Sequence, residues 1–434
     1  MLLIIILGLI GLGLVVVVHE LGHFAAARAM GVEVEAFSVG WGPKLFGFRR
    51  SNTEWRISAV PIGGYCKMKG EESFRKALED KAESFPREPG SFYGAAPWRR
   101  IVIAVAGPLA NILFALLVFV VVSAVGYSIR TSSNRIVLAS EYHLDPSAEG
   151  KSFPADAAGL KSGDRIISAD GKPVADYSDV QETIALSADR AIRLGVERGG
   201  SRLDLTVTPA MDRSSGAGRI GVYSWTDPVV EEVAKGSAAA IAGIETGDVV
   251  TAIDGKPVKH AIEALSYLAS KPERARFTLL RNGASVDASV VLAWTETGES
   301  NLGISFRSQL KTFRAQSMGA AIAGGAAETW KTFSISFKSL GLLFRGVDLL
   351  KAVSGPARIT YFVGRSASEG MKAGSTGGLA LPLNFLAFLS IGLFIMNLLP
   401  IPALDGGQVL LFITEIARRR PLRVITVYRF QFVG

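Results

Sequence analysis

Three long apolar runs constrain this chain more than anything else in it. They are Leu2–Val18 (continuing through His19 to Ala27), Ile101–Gly126 and Leu379–Leu399. Each approaches or exceeds the roughly 20 residues that cross a bilayer as a helix. A mean hydropathy of +0.31 fits a membrane-embedded chain better than a soluble one. A cleaved leader begins with a basic stretch, but Met1 is followed by Leu2-Leu3-Ile4, so the first run is read as a retained span. A fourth apolar stretch opens at Val424 and is too short to span by Gly434. It is read as the start of a truncated fourth span.

Charge orients the spans. The net charge is +8, and no aromatic-plus-basic pattern points to nucleic acid. Arg28 and Lys44 follow the first span, Arg99 and Arg100 precede the second, and Arg418, Arg419, Arg420 and Arg423 follow the third. Cytoplasmic loops near span ends are enriched in such residues. These three places are therefore expected on the cytoplasmic side, and the long segment from Tyr127 to Gly378 on the other. Long translocated segments are exempt from that rule. The single cysteine, Cys66, allows no intrachain disulfide.

The translocated segment contains a repeat. Ala157-Ala158-Gly159-Leu160-Lys161-Ser162-Gly163-Asp164 is echoed by Ile241-Ala242-Gly243-Ile244-Glu245-Thr246-Gly247-Asp248, and Asp170-Gly171-Lys172-Pro173-Val174 by Asp254-Gly255-Lys256-Pro257-Val258. The offset is 84 residues throughout (Asp170 to Asp254). Asp-Gly suits a type I′ turn. Arg198-Gly199-Gly200 and Arg281-Asn282-Gly283 sit between alternating apolar runs, a hairpin signal. Each copy is expected to be a small β-rich domain with one helix. The pattern resembles bacterial PDZ domains over 127–210 and 211–310. That resemblance implies binding of extended peptides along a sheet edge. A plain spacer stays open as the alternative, and the first copy carries an insertion, Glu141–Ser152, before its glycine turn. Beyond the repeat, 311–378 reads as an amphipathic helical region. Trp330, Phe333, Phe337, Leu340, Phe344 and Val347 form its apolar stripe, and Lys331, Lys338 and Arg345 a basic row. Such a stripe fits a helix packed on a neighbour or one lying on the membrane surface.

The chemistry sits at the end of the first span. His19-Glu20-Leu21-Gly22-His23 is an H-E-x-x-H motif. Residues four apart share a helix face, so both imidazoles can reach one metal while Glu20 takes a proton from water. Zinc suits two nitrogens, one oxygen and an open position. Ionisable groups in a span are costly and usually functional. The bland alternative is a histidine pair facing the headgroups. A third histidine six residues on is absent, since that position is Ala29, and Glu33 and Glu35 follow too closely. Asp405 is the only acid between Glu369 and Glu415 and lies just past the third run. Pro400 and Pro402 would break the helix before it and free the backbone to turn Asp405 inward. A solvated Asp-Gly turn is the alternative.

H-E-x-x-H on a first span and Asn397-Leu398-Leu399-Pro400-Ile401-Pro402-Ala403-Leu404-Asp405-Gly406 on a later one resemble the site-2 protease family of intramembrane zinc metalloproteases. The tandem repeat makes the chain similar to its bacterial RseP type. Phe37–Gly42, Pro61–Met68 and Ala106–Asn111 match as well. The resemblance implies zinc on His19, His23 and Asp405, Glu20 as general base, and substrate contact by Asn397. It further implies a β-loop dipping into the membrane, whose edge at Gly63, Gly64 and Tyr65 pairs with an unwound substrate. A cytoplasmic hairpin without a substrate role is the alternative for that loop. The substrates implied are single-span membrane proteins trimmed beforehand, such as an anti-sigma factor or remnant signal peptides.

The expected architecture is a polytopic α-helical membrane protein with a membrane-associated β-loop and two inserted β-rich PDZ domains, in the bacterial cytoplasmic (inner) membrane. Its parts are the first span with H-E-x-x-H (1–30), the β-loop region (31–100), the second span (101–126), the two repeats (127–210 and 211–310), the helical region (311–378), the third transmembrane segment with the Leu-Asp-Gly motif (379–415), and a basic loop with the truncated span (416–434). The rivals are a non-catalytic PDZ-bearing membrane scaffold and a metal transporter. The first gives no reason to keep costly groups in a span, and the second no role to Glu20.

Overall fold

The computed structural model describes residues 1–80, 88–142, 144, 152–213, 215–295, 300–342, 355–372 and 376–433. They form two compact units. One contains Met1–Tyr127, Thr312–Gly341 and the C-terminal helices, the other Ser128–Lys311.

The helices of the first unit are α1 (Leu2–Ala29), α2 (Pro97–Val125), α3 (Met318–Leu342), α4 (Pro356–Lys372), α5 (Ala380–Leu398) and α6 (Asp405–Arg418). Shorter helices lie at Glu71–Glu79 and Val424–Val433. Among the described residues, α1, α2 and α5 are the three helices long and apolar enough to cross a membrane. Ala115, Val118, Phe119 and Val122 of α2 pack on Ala387, Ile391 and Ile395 of α5. Val15 of α1 meets Val363 of α4 and Leu386 of α5. Near the far end of α2 the packing turns polar. Arg100 is buried, pairs with Glu415 of α6 at 2.8 Å, and lies 4.7 Å from the Phe412 ring centroid.

Two long bent strands, β1 (Val34–Arg50) and β2 (Thr53–Met68), supply the β-loop. Residues 34–39 lie between 54–57 on one side and 64–68 on the other, while 44–50 pair with 53–58. The stretch 64–68 is therefore an edge. Trp41, Leu45, Phe46, Phe48 and Ile57 of this loop are exposed.

The second unit repeats one design. Strands 172–173, 165–169, 192–198 and 201–207 form a sheet in that order, and 256–257, 249–253, 274–281 and 284–291 form its counterpart. Helices Tyr177–Ala185 and Ala261–Ala269 follow at the same offset. Asp170 and Gly171 have φ of 49° and 77°, and Asp254 and Gly255 have 47° and 76°. Paired positive φ values are what a type I′ turn requires. The conserved spacing of the Gly-Asp motif has a structural reason too. Asp164 accepts from Arg198 Nε and Nη2 at 2.7 Å each and from the Lys161 amide at 2.8 Å. Asp248 does the same with Arg281 and the Glu245 amide, at the same distances.

Several expectations change. The second helix begins at Pro97 rather than Ile101, because Pro at the first helical position costs no hydrogen bond and Arg100 finds a buried partner. The segment 379–415 is two helices, since Pro400 and Pro402 stop α5. The two strands of the β-loop run on through Gly40, Gly42 and Gly63, whose positive φ bends them without ending them. Each repeat has a second, four-residue helix, at Pro154–Ala157 and Ala238–Ile241. The stripe on α3 is divided: Phe333 meets Phe394 of α5, while Trp330 and Phe337 are exposed. Phe344, Arg345 and Val347, and most of the Glu141–Ser152 insertion, lie outside the described residues.

Candidate metal centre

His19 and His23 stand one turn apart near the C-terminal end of α1, both buried. Their Nε2 atoms are 3.1 Å apart. Asp405 comes to them from the first position of α6. The chain leaves α5 at Leu399, turns through the two prolines and starts a new helix at once. Gly406 and Gly407 make this tight return possible, because a Cβ on either would strike the carbonyls of 398, 399 or 401. The N-terminus of α6 also favours a negative charge where Asp405 stands.

Asp405 Oδ2 lies 3.1 Å from His19 Nε2 and 3.5 Å from His23 Nε2. It is buried, yet it has no hydrogen-bond partner among the described residues. One ligand atom from each of the three residues falls within 4.8 Å of the others. Three potential ligand atoms drawn this close fit a cation, and two nitrogens with one oxygen fit zinc with one position open.

That open side faces a cavity of about 320 Å³. Its wall includes Glu20, Cys66, Met68, Tyr93 and Gln408 beside the three donors. The Glu20 carboxylate accepts a hydrogen bond from the Cys66 amide. Cys66 lies on the edge stretch 64–68, so the outer edge of that strand faces the acid.

The structure thus brings together His19, Glu20, His23 and Asp405. It does not bring in the rest of the expected set. Gly63, Gly64 and Tyr65 belong to the strand that reaches the cavity, but its cavity-facing residues are Cys66 and Met68. Gly64 is held against the Ser38 carbonyl and Tyr65 packs its ring on Trp41. Asn397 ends α5 half-buried and does not line the cavity. Sequence reasoning passed over Gln408, Cys66 and a set of contacts from α2. His23 Nδ1 bonds the Ile103 carbonyl at 2.8 Å, and Asn111 Nδ2 lies 3.2 Å from His19 Nδ1. The signal for Asn111 was available: it is a carboxamide in the middle of an apolar run.

Comparison with known proteins agrees with this chemistry. The model of peptidase family M50 matches residues 7–434. A Treponema pallidum protein that carries a provisional zinc metalloprotease name is 40% identical over 99% of this chain and 95% of its own length. The regulator of sigma-E protease RseP of Salmonella typhimurium is 28% identical over 95% of this chain and 91% of its own. A solved PDZ domain from an SdrC-like protein of Listeria innocua aligns with 19% of this chain and 96% of its own, at 26% identity and a TM-score of 0.18. The family match spans nearly the whole chain, and the chain belongs to peptidase family M50, the site-2 proteases, as a zinc metalloprotease of the membrane.

Proposed function

We propose that this protease holds zinc on His19, His23 and Asp405 and uses Glu20 as its general base to cut membrane-spanning segments of single-span proteins. The observation that carries the reading is the convergence of those three donors on one cavity with Glu20 in its wall. Zinc bound there supplies a Lewis acid that polarises the scissile carbonyl and acidifies water. Glu20 takes a proton from the attacking water and returns it to the leaving amine as the C–N bond breaks. The Cys66 amide anchors the Glu20 carboxylate to the strand edge.

A helical substrate hides its carbonyls in hydrogen bonds, so it must unwind to be cut. Adding it as a strand to the 64–68 edge replaces those bonds where water is scarce. The exposed apolar side chains of the β-loop favour a loop that enters the membrane rather than a cytoplasmic hairpin. Glu20→Gln should lower cleavage of a transmembrane substrate by roughly 10²–10⁴-fold and leave zinc content at wild-type level. Cleavage at the normal rate by the purified variant would sink this assignment.

The two repeats act as PDZ domains on the extracytoplasmic face of the inner membrane. Their shared sheet order and Asp-Gly turns support that fold, and the basic clusters near the span ends support that side. There they exclude substrates with bulky outer domains, so that cutting follows an earlier trimming. RseP of Salmonella is named for regulating a sigma factor. A membrane-anchored anti-sigma factor is the matching substrate here, with remnant signal peptides as the second class. Deleting residues 127–310 should admit untrimmed substrates; unchanged discrimination would refute the gate.

A further inference from the structure

A histidine that binds a metal uses one ring nitrogen as ligand and the other to fix the ring. In this chain both fixing contacts come from one face of α2. His23 Nδ1 donates to the Ile103 carbonyl at 2.8 Å, and His19 Nδ1 meets the Asn111 carboxamide at 3.2 Å. Residues 103, 107 and 111 are spaced by four, as His19 and His23 are, so each set shares one helix face. Gly22 of α1 packs against Ala106 and Ala110 of α2, which brings the two faces into register. Gly107 leaves the room that the His23 ring fills, since a Cβ there would run into the imidazole.

Asn111 is fully buried, and a carboxamide buried in an apolar span is costly without partners. Its backbone carbonyl accepts from Ser390 of α5 at 3.0 Å. Its Nδ2 faces His19, and its Oδ1 has no partner among the described residues. The two ends of a carboxamide exchange by a half-turn, and the surrounding hydrogen bonds decide which end points where. A neutral imidazole that offers Nε2 to a metal carries its proton on Nδ1 and needs an acceptor there. His19 Nε2 is the nitrogen facing Asp405 and His23. With a metal in place, Asn111 must therefore present its oxygen to His19.

We propose that Asn111 is a positioning residue of the metal centre, which turns its carboxamide oxygen to the Nδ1–H of His19 and holds the tautomer whose Nε2 is free to bind zinc. This rests on the reading of His19, His23 and Asp405 as the zinc ligands. A neutral acceptor orients the ring without adding a second carboxylate to a low-dielectric site.

The test measures zinc affinity of the full chain in detergent by competition with a chelator. Cobalt-loaded absorption spectra and the melting of the metal-free protein are recorded beside it. Asn111→Leu should weaken zinc binding by roughly 10–100-fold, change the cobalt spectrum and leave metal-free melting unchanged. Asn111→Asp, which keeps an acceptor, should bind zinc within a few-fold of wild type. If Asn111→Leu is recovered poorly, Asn111→Ala removes the acceptor without adding bulk and carries the same expectation. Wild-type affinity in the variants without an acceptor, or equal loss in Asn111→Asp, overturns the proposal. His19→Ala separates the two levels. Loss of zinc in that variant with unchanged affinity in Asn111→Leu would refute the positioning role alone. Retention of zinc by His19→Ala would refute the ligand reading, and the role of Asn111 with it.

Discussion

Two clusters of buried charge, one in each unit, are built in opposite ways. In the repeats, Asp164 and Asp248 are each 1% exposed, and their oxygens are taken up by a two-pronged arginine and a backbone amide. In the membrane unit, His19, His23 and Asp405 are drawn together, and Asp405 Oδ2 has no hydrogen-bond partner among the described residues. Burial is common to both clusters, so burial alone does not mark a site. What distinguishes them is whether the polar atoms satisfy one another. A carboxylate whose partners are complete holds a turn. A carboxylate kept between two imidazoles beside a cavity is arranged for a cation, because the cost of crowding is recovered only when one binds.

The comparison breaks most visibly if a donor is removed from the crowded cluster. Asp405→Ala should lose stoichiometric zinc and reduce cleavage to background, while the metal-free protein keeps its helix content and its melting. The substitution relieves lone-pair crowding, so it has no reason to destabilise the fold. Zinc analysis and thermal melting of the same sample check both halves. A large drop in metal-free melting would mean that Asp405 is structural after all, and would place it with Asp164 and Asp248.

How far these clusters could be seen in advance follows from their reach along the chain. The H-E-x-x-H pair is local, four residues on one helix, and its meaning is carried by spacing. The 84-residue repeat was legible because both copies need the same turns. Asp405 was legible only through the prolines and glycines around it, which have a local signature. The pairing of Arg100 with Glu415 has none, since it joins residues more than 300 positions apart. The start of α2 was missed for that reason: Trp98-Arg99-Arg100 looks like a solvated flank until its partner is known. Arg198 and Arg281 were seen as hairpin ends, and their hold on Asp164 and Asp248 was not, because a strand pattern gives no hint of where an end residue reaches. Gly63, Gly64 and Tyr65 were placed on the right strand but short of the cavity, because Gly63 bends the strand and leaves Cys66 and Met68 to face it.

A satisfied cluster should fail in the other direction, with loss of structure and no change at the metal. Arg281→Met leaves the Asp248 carboxylate buried without its main partner. Hydrogen exchange across 249–253 should rise, and that repeat should melt roughly 5–10 °C earlier, while 165–169 in the first repeat and the zinc content stay as in wild type. Acid should imitate the substitution. The Arg281 guanidinium holds Asp248 below the usual carboxylate range. A lowered folded value contributes stability above the unfolded value near 4, and that stability is lost as pH falls through the folded value. As pH falls from about 4 through the folded value, wild type and Arg281→Met should converge; a gap that stays constant would mean that the ionised pair is not what the substitution removes.

The smallest expected effect sits between these extremes, at a buried group that is only partly satisfied. His260 is 1% exposed, at the head of the helix Ala261–Ala269. Its Nε2 lies 3.2 Å from the hydroxyl of Tyr142, a residue of the first repeat. That hydroxyl donates to Glu263 at 2.9 Å. The centroid of the Trp225 ring lies 4.5 Å from that of His260, and the Arg135 guanidinium lies over the Trp225 ring. Nδ1 has no partner among the described residues. Burial pushes the imidazole pKa down. Glu263 and Glu141 oppose that, while Arg135 and Lys259 add to it. The fold therefore prefers the neutral ring. Its stabilising contribution is whole above the unfolded value near 6.5 and is lost as pH falls from there toward the folded value. Between pH 7.5 and 5, the protection of amides in 261–269 against hydrogen exchange, corrected for the intrinsic rate, should fall. Tyr142→Phe should raise exchange already at pH 7.5, since it takes the partner from Nε2. Protection that is flat across this range in wild type would show that His260 is as fully satisfied as Asp164 and Asp248, and would remove the intermediate case.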